Sequence, residues 1–240
     1  DLHKAIRRQR QMCIRDRNVT SLLENKLSEL DALSGQAIVM EVQSGQIKAL
    51  VGLTRKDSTN YQSCENFSVW QSTGLMHPIS LLAALETGKV KLSDKVDTGN
   101  GIYQIHGIEL KDHNWHRGGY GELTVQEGLA VGSNIATYKT MEKAFGDNPQ
   151  TFFDLLANMS YGKPDSITEI ANLQPAHIVT PKDNNWTKTA FVWSSIGYNQ
   201  HVSPIQILTF YNAIANNGKM IQPQLYKDLS LIHISEPTRP

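Results

Sequence analysis

The most informative part of the sequence is Gln71-Ser72-Thr73-Gly74-Leu75-Met76-His77-Pro78, which continues as Ile79-Ser80-Leu81-Leu82-Ala83-Ala84-Leu85-Glu86-Thr87-Gly88. Its second half is rich in leucine and alanine, which favour a helix. Pro78 is tolerated in a first helical turn, because its missing N–H would be unpaired there anyway. Gly88 is a natural helix stop. The sequence therefore predicts a helix that begins between Gly74 and Pro78 and ends before Gly88.

Upstream of this helix, the sequence predicts another helix and then a β-hairpin. Ser21-Leu22-Leu23-Glu24 is a capping-box pattern, which predicts the start of a helix. Leucines at helical spacing extend this helix towards Gly35. Two β-rich runs, residues 37–42 and 46–51, then flank the short loop Gln43-Ser44-Gly45, as is typical of a hairpin.

Downstream, turn and capping signals separate further short elements. We expect a turn over 97–101 and a short strand pair within 103–110. Thr124-Val125-Gln126-Glu127 is a capping box that predicts a helix over 124–131, and further helices are expected over 134–145 and 205–215. No internal repeat or linker interrupts them. These elements predict one mixed α/β (α+β) domain, in which a hairpin starts a sheet and helices pack around it.

Both ends of the chain differ from this interior. Met12 to Arg17 can be encoded by ATGTGTATAAGAGACAG plus one base, and Leu229 to Ile234 by CTGTCTCTTATACACATC, which contains the reverse complement of the first string. Both resemble translated ends of a transposon-based sequencing-library adapter. We therefore expect residues 1–17 and 229–240 to be adapter-like, non-native segments around a partial domain at 18–228. The alternative for the N-terminus is a basic arm for nucleic acid or anionic lipid.

Composition excludes several classes of protein. The chain has 240 residues, of which 40% are hydrophobic, and its formal net charge is zero. Without the two end segments, 16 basic and 20 acidic residues remain, a net charge of −4, which does not favour a nucleic-acid partner. Two cysteines form no disulfide framework, and no apolar run is long enough for a transmembrane helix. His106, His113 and His116 lack a metal-ligand pattern, so no metal or cofactor is expected.

Five segments, in order, resemble the transpeptidase domain of penicillin-binding proteins: residues 37–49, 81–86, 96–101, 124–134 and 196–218. The resemblance implies a β-lactamase/transpeptidase-like fold, an antiparallel sheet packed by helices. It also implies that this fold is incomplete here, because the family's C-terminal strands would follow the last of these segments.

The resemblance places the catalytic motifs on residues that have lost the chemistry. In the family, the Ser of Ser-x-x-Lys attacks the stem peptide after the Lys takes its proton. Gly74 stands at the Ser position and His77 at the Lys position. The second motif, Ser-x-Asn, falls on Gly132, Ser133 and Asn134, of which Asn134 alone matches at a position the motif fixes. No intact catalytic residue is therefore expected.

Two points qualify this alignment. The third motif, a Lys-Thr-Gly strand, follows the late helix in the family, so Lys188-Thr189-Ala190 is not that strand and the motif would lie beyond Asp228. A shift of two residues would make Ser72 the nucleophile. Position 75 would then hold Leu75 instead of Lys, and His77 would not share a helix face with Ser72.

The resemblance implies a role in peptidoglycan (cell wall) synthesis, with two readings of the site. In the first, the chain is a catalytically inactive pseudoenzyme with a structural or regulatory role, whose partners are peptidoglycan stem peptides or cell-wall synthesis proteins. In the second, it is an active serine D,D-transpeptidase acylated by D-Ala-D-Ala stem peptides and penicillin through Ser72. Either implies a location in the cell envelope, periplasmic and held by an inner-membrane anchor that precedes the fragment.

Overall fold

The structure, a computed structural model, describes residues 2–58, 60–64, 70–71, 73–162 and 176–224, and of residues 2–15, 70, 71 and 73 it describes the backbone alone. The chain divides into two compact units. One comprises Asp1–Phe67, Asp165–Leu173 and Leu208–Pro240, and the other comprises Ser68–Pro164 and Gln174–Ile207.

The first unit is built on a helix and an antiparallel sheet. Helix α1 (Leu2–Glu29) packs on β2, and the sheet has the order β1 (Ser34–Met40), β2 (Ile47–Arg55) and β3 (Tyr61–Ser63). Leu27, Val51 and Leu53 form its buried cluster. The predicted hairpin is confirmed, since β1 and β2 pair antiparallel around a turn in which Gly45 has a φ of 71°. A Cβ at Gly45 would lie 2.4 Å from the backbone oxygen of Gln222, so both backbone conformation and space require glycine there.

The predicted start of a helix at Ser21 is wrong, because α1 already begins at Leu2. A capping box can begin a helix only where the preceding residues leave the helical conformation. Residues 1–20 contain neither proline nor glycine, so nothing breaks the helix before Ser21. The proposed boundary between residues 17 and 18 falls inside α1, and residues 229–240 lie outside the described part of the chain. The division into native and adapter-like segments therefore stays a prediction.

Helices dominate the second unit. They are α2 (Thr73–Glu86), α3 (Val125–Val131), α4 (Asn134–Phe145), α5 (Gln150–Asn158) and α6 (Ala190–Ser195). The predicted capping box of α3 is present: Thr124 Oγ1 accepts a hydrogen bond from the Glu127 N–H, and Glu127 accepts one from the Thr124 N–H. The core includes six fully buried side chains, Met76, Ile79, Ile135, Met141, Phe152 and Leu156.

The second unit also contains small antiparallel sheets. Strand β5 (Lys95–Asp97) pairs with β8 (Glu122–Thr124), and β6 (Ile102–Ile105) pairs with β7 (Ile108–Lys111), which confirms the predicted strand pair. A third sheet has the order β4 (Trp70–Gln71), β10 (Gln200–Val202) and β9 (His177–Ile178). A 3-10 turn spans Trp115–Arg117, and helix α7 (Pro204–Ala215) contains the boundary between the two units.

The predicted α+β class, with antiparallel sheets packed by helices, is thus confirmed. The strands predicted to be missing from the C-terminal side would follow residue 224, where the description of the chain ends. Their absence stays a prediction.

Candidate functional site

The N-terminal turn of α2 carries the first two predicted site residues. Gly74 is the second residue of this helix, and His77 lies three residues later, on the same helix face. Gly74 is exposed, and a Cβ built on it would meet no atom within 4 Å. The position thus has room for a side chain but carries none. Ser72, the alternative nucleophile, lies outside the described residues.

The second group of predicted residues connects α3 to α4. Gly132 ends α3 in the left-handed conformation, with φ 66° and ψ 37°, and its N–H reaches the carbonyls of the last turn. Ser133 is the N-cap of α4, and its Oγ accepts a hydrogen bond from the Ala136 N–H at 2.9 Å. Asn134 is the first residue of α4. Its Nδ2 donates to the carbonyl of Lys111 at 2.8 Å.

Asp112 organises this junction, and the sequence analysis did not identify it. It follows β7 directly and is only 1% exposed. Its carboxylate accepts hydrogen bonds from Ser133 Oγ, at 3.0 and 2.9 Å to its two oxygens, and from the Ile135 N–H at 3.0 Å. The carboxylate therefore sits on the N-terminus of α4, where the helix dipole favours negative charge. In the sequence, Asp112 is only a polar residue at the end of a predicted strand. Such residues are too common for this position to indicate a site.

His77 is held as a neutral, buried imidazole. The side chain is 5% exposed, and burial lowers its pKa. A hydrogen bond with the Asn134 side chain and the negative charge of Asp112 act in the opposite direction, but they are weaker than the effect of burial. His77 Nε2 is buried and has no hydrogen-bond partner among the described residues.

The imidazole borders a small cavity between α2, α3 and α4. Its volume is about 10 Å³, roughly the room that one water molecule needs. The other lining residues are mostly apolar: Leu81, Val125, Leu129, Ala136, Thr137, Thr140 and Met141. The structure thus brings together His77, Asn134, Ser133 and Asp112, with Gly74 on the exposed turn of the same helix as His77.

A loop of aromatic and basic residues adjoins the junction. Tyr120 Oη lies 2.8 Å from His113 Nε2 and 3.5 Å from the carbonyl of Val131. Trp115 is 45% exposed, with Lys111 Nζ 4.8 Å from its ring centroid. Within the described part of the chain, no three or more His, Cys, Asp or Glu side chains are grouped to hold a metal. No described helix is both long enough and apolar enough to cross a bilayer.

We expect the stability of the chain to fall at acid pH through His77. The pKa of His77 is lower in the folded state than its unfolded value of about 6.5, so the unfolded state binds the proton more readily. The stabilisation is complete above pH ~6.5 and is lost as the pH falls towards the folded-state pKa. Urea unfolding at pH 8 and pH 5 measures how much free energy of unfolding is lost between the two pH values. The loss should be smaller in His77→Leu than in the parent, by about 1.4 kcal/mol for each unit by which the folded state lowers the pKa of His77.

His116→Gln, a change at an exposed histidine, is the control and should keep the pH dependence of the parent. If His77→Leu and the parent lose the same free energy of unfolding between the two pH values, His77 is not buried as a neutral base.

The two motif glycines should respond oppositely to the same substitution. Gly74→Ala places a methyl group in open space on a helix and should stabilise the fold by about 0.5 kcal/mol or more. Gly132→Ala puts a Cβ on a left-handed residue and should destabilise it by about 1 kcal/mol or more. Thermal and urea unfolding measure both. Equal effects of the two substitutions would contradict the helix-ending role of Gly132.

Comparison with known families gives a match over most of the chain. The penicillin-binding protein transpeptidase domain matches residues 35–238. The probable peptidoglycan D,D-transpeptidase PbpC of Pseudomonas aeruginosa is 25% identical over 215 residues, which cover 86% of this chain and 36% of that relative. The peptidoglycan D,D-transpeptidase FtsI of Buchnera aphidicola is 22% identical over 223 residues, 90% of this chain and 36% of that relative. The chain thus spans about a third of the length of these relatives.

A solved structure supports the same fold. The transpeptidase domain of penicillin-binding protein 3 from Burkholderia pseudomallei, in its apo form, superposes with a TM-score of 0.67 at 23% identity, over 88% of this chain and 59% of that one. At this identity the likeness shows the fold alone. The family match over residues 35–238 shows that the chain belongs to the penicillin-binding protein transpeptidase domain family.

Proposed function

We propose that this chain is a non-catalytic transpeptidase domain that serves peptidoglycan assembly in the cell envelope as a structural or regulatory component. It would bind a stem peptide or another cell-wall protein without turnover. One observation carries the proposal: the exposed turn of α2 that would present the nucleophile has glycine at position 74, and the base position holds the buried His77. The named relatives are D,D-transpeptidases, and this chain would keep their fold without their acyl transfer.

Acyl transfer requires a nucleophile and a base that can take its proton. Gly74 offers no atom for a covalent bond. His77 cannot replace both groups, because its Nε2 is buried without a hydrogen-bond partner among the described residues and burial lowers its pKa. Ser133 Oγ is hydrogen-bonded to Asp112 and to the Ala136 N–H, so this hydroxyl is occupied by the cap of α4. Proton transfer therefore has no complete route through the described residues of the site.

The recognition part of the site is better preserved. In the family, the Asn of the second motif holds the substrate amide, and Asn134 is half-buried, so a ligand can reach it. Its Nδ2 bond to the Lys111 carbonyl and the Asp112–Ser133 bonds beside it fix its position before any ligand arrives. Such preorganisation favours binding, since little side-chain entropy remains to be lost. A peptide ending in D-Ala-D-Ala is the proposed ligand.

Covalent labelling with a fluorescent penicillin tests the absence of acylation. We expect the purified chain to show no labelled band, because no hydroxyl stands at position 74. The matched variant is Ser72→Ala, measured with a working penicillin-binding protein as positive control. A labelled parent band that disappears in Ser72→Ala would overturn the proposal and establish the alternative, an active D,D-transpeptidase that uses Ser72.

Binding without turnover is tested by calorimetry with a peptide ending in D-Ala-D-Ala. We expect reversible binding with no release of D-alanine, weakened about tenfold in Asn134→Ala by the loss of one half-buried hydrogen-bonding side chain. Asn184→Ala, at an exposed turn of the same unit, is the control and should bind like the parent. Equal affinities of the parent and Asn134→Ala would remove the stem peptide as a ligand of this site.

A further inference from the structure

We propose that His177 and His201 form a binding site for a divalent transition-metal ion that links strands β9 and β10. The two residues are direct partners in the antiparallel ladder between these strands. Their rings stack, with centroids 6.3 Å apart and planes inclined by only 23°. Direct cross-strand partners project from the same face of a sheet, so both imidazoles are presented together. This inference is independent of the proposed function.

The spacing of the two rings suits one ion after a small side-chain rotation. Two Zn–N bonds of ~2.1 Å at a tetrahedral angle place the ligand nitrogens about 3.4 Å apart. With each ring centre roughly 1 Å behind its nitrogen, the centroids of a chelating pair lie about 5 to 5.5 Å apart. The observed pair would close by about 1 Å, and each ring would turn about its broad χ2 torsion so that a nitrogen lone pair, which lies in the ring plane, points at the ion. His177 is exposed, so an ion can enter from solvent.

The ligand type selects the class of metal. Imidazole nitrogen suits Zn²⁺, Cu²⁺ and Ni²⁺, whereas Ca²⁺ and Mg²⁺ prefer oxygen ligands. The pKa of Asp183 is lowered mainly by hydrogen bonds from Thr180 and to a smaller extent by the nearby charge of His177. Asp183 is held by Thr180 and does not complete a three-residue group with the two histidines. Water would therefore fill the remaining positions, and the affinity should be moderate.

A metal link would matter here because the sheet is small. Strand β9 has two residues and β10 has three, and sheets this short have little stability of their own. A link between residues 177 and 201 closes a long stretch of chain that includes α6. On its other side, His201 is the ladder partner of Gln71 in β4, which precedes α2. An ion at this pair would thus stabilise the strand that neighbours the entry to α2.

Calorimetry and thermal unfolding of the full chain with ZnCl₂ and with CuSO₄ test the site, with CaCl₂ as a probe that should not bind. We expect a rise in Tm with Zn²⁺ and Cu²⁺, and an affinity at least about tenfold lower in His177→Asn and in His201→Asn. His106→Asn is the matched control, because His106 is exposed and lies at a turn with a φ of 50°, which asparagine also accepts. The affinity of this variant for Zn²⁺ and Cu²⁺ should equal that of the parent.

Paramagnetic broadening by Cu²⁺ provides a second readout that does not depend on the variants folding. In the parent chain, substoichiometric Cu²⁺ should broaden the imidazole ¹H resonances of His177 and His201 before those of His106 and His116. Unchanged affinity in both variants, equal loss in His106→Asn, or broadening that begins at other histidines would each overturn the proposal. So would the absence of Zn²⁺ and Cu²⁺ binding at millimolar concentration.

Discussion

The carboxylate of Asp112 is the interaction on which the candidate site depends. It is almost completely buried, and it accepts hydrogen bonds from both the side chain of Ser133 and the backbone N–H of Ile135. A buried carboxylate without such partners would be strongly unfavourable, so the charge and the start of α4 stabilise each other. Because Asp112 also donates its own N–H to the Gly101 carbonyl, the end of β7, the turn after β5 and the first turn of α4 are fixed together.

The residues at the second motif position have structural roles in this arrangement. Ser133 and Asn134 both make hydrogen bonds that hold the junction in place, to Asp112 and to the carbonyl of Lys111. Gly132 has a structural role as well, since it ends α3 in a conformation that glycine adopts without strain. From the sequence, Gly132 was placed at the position of the first serine in the Ser-x-Asn motif. On this backbone a serine at position 132 would have to adopt a left-handed conformation, which is unfavourable for residues other than glycine.

What could be predicted from the sequence follows from the range of the interactions involved. The helix from Thr73 to Glu86 and the capping box at Thr124 were predicted because their signals lie within one or two helical turns. The bond between Asp112 and Ser133 joins residues 21 positions apart, and no local pattern specifies it. Strands β9 and β10 have two and three residues, too few to show a period of two, so the pairing of His177 with His201 could not be predicted either.

The start of α1 shows the opposite limit, where a local signal was present but had no effect. Ser21 and Glu24 match a capping box, yet the helix passes through them, because a cap satisfies N–H groups only where the helix has no preceding turn. The same physics explains why the Ser133 cap is real: Gly132 first breaks the helical path, and the exposed N–H groups of α4 then need an acceptor. A capping motif is therefore informative only together with the residue that interrupts the chain before it. In this chain Gly132 is such a residue, and its value to the fold does not depend on catalysis.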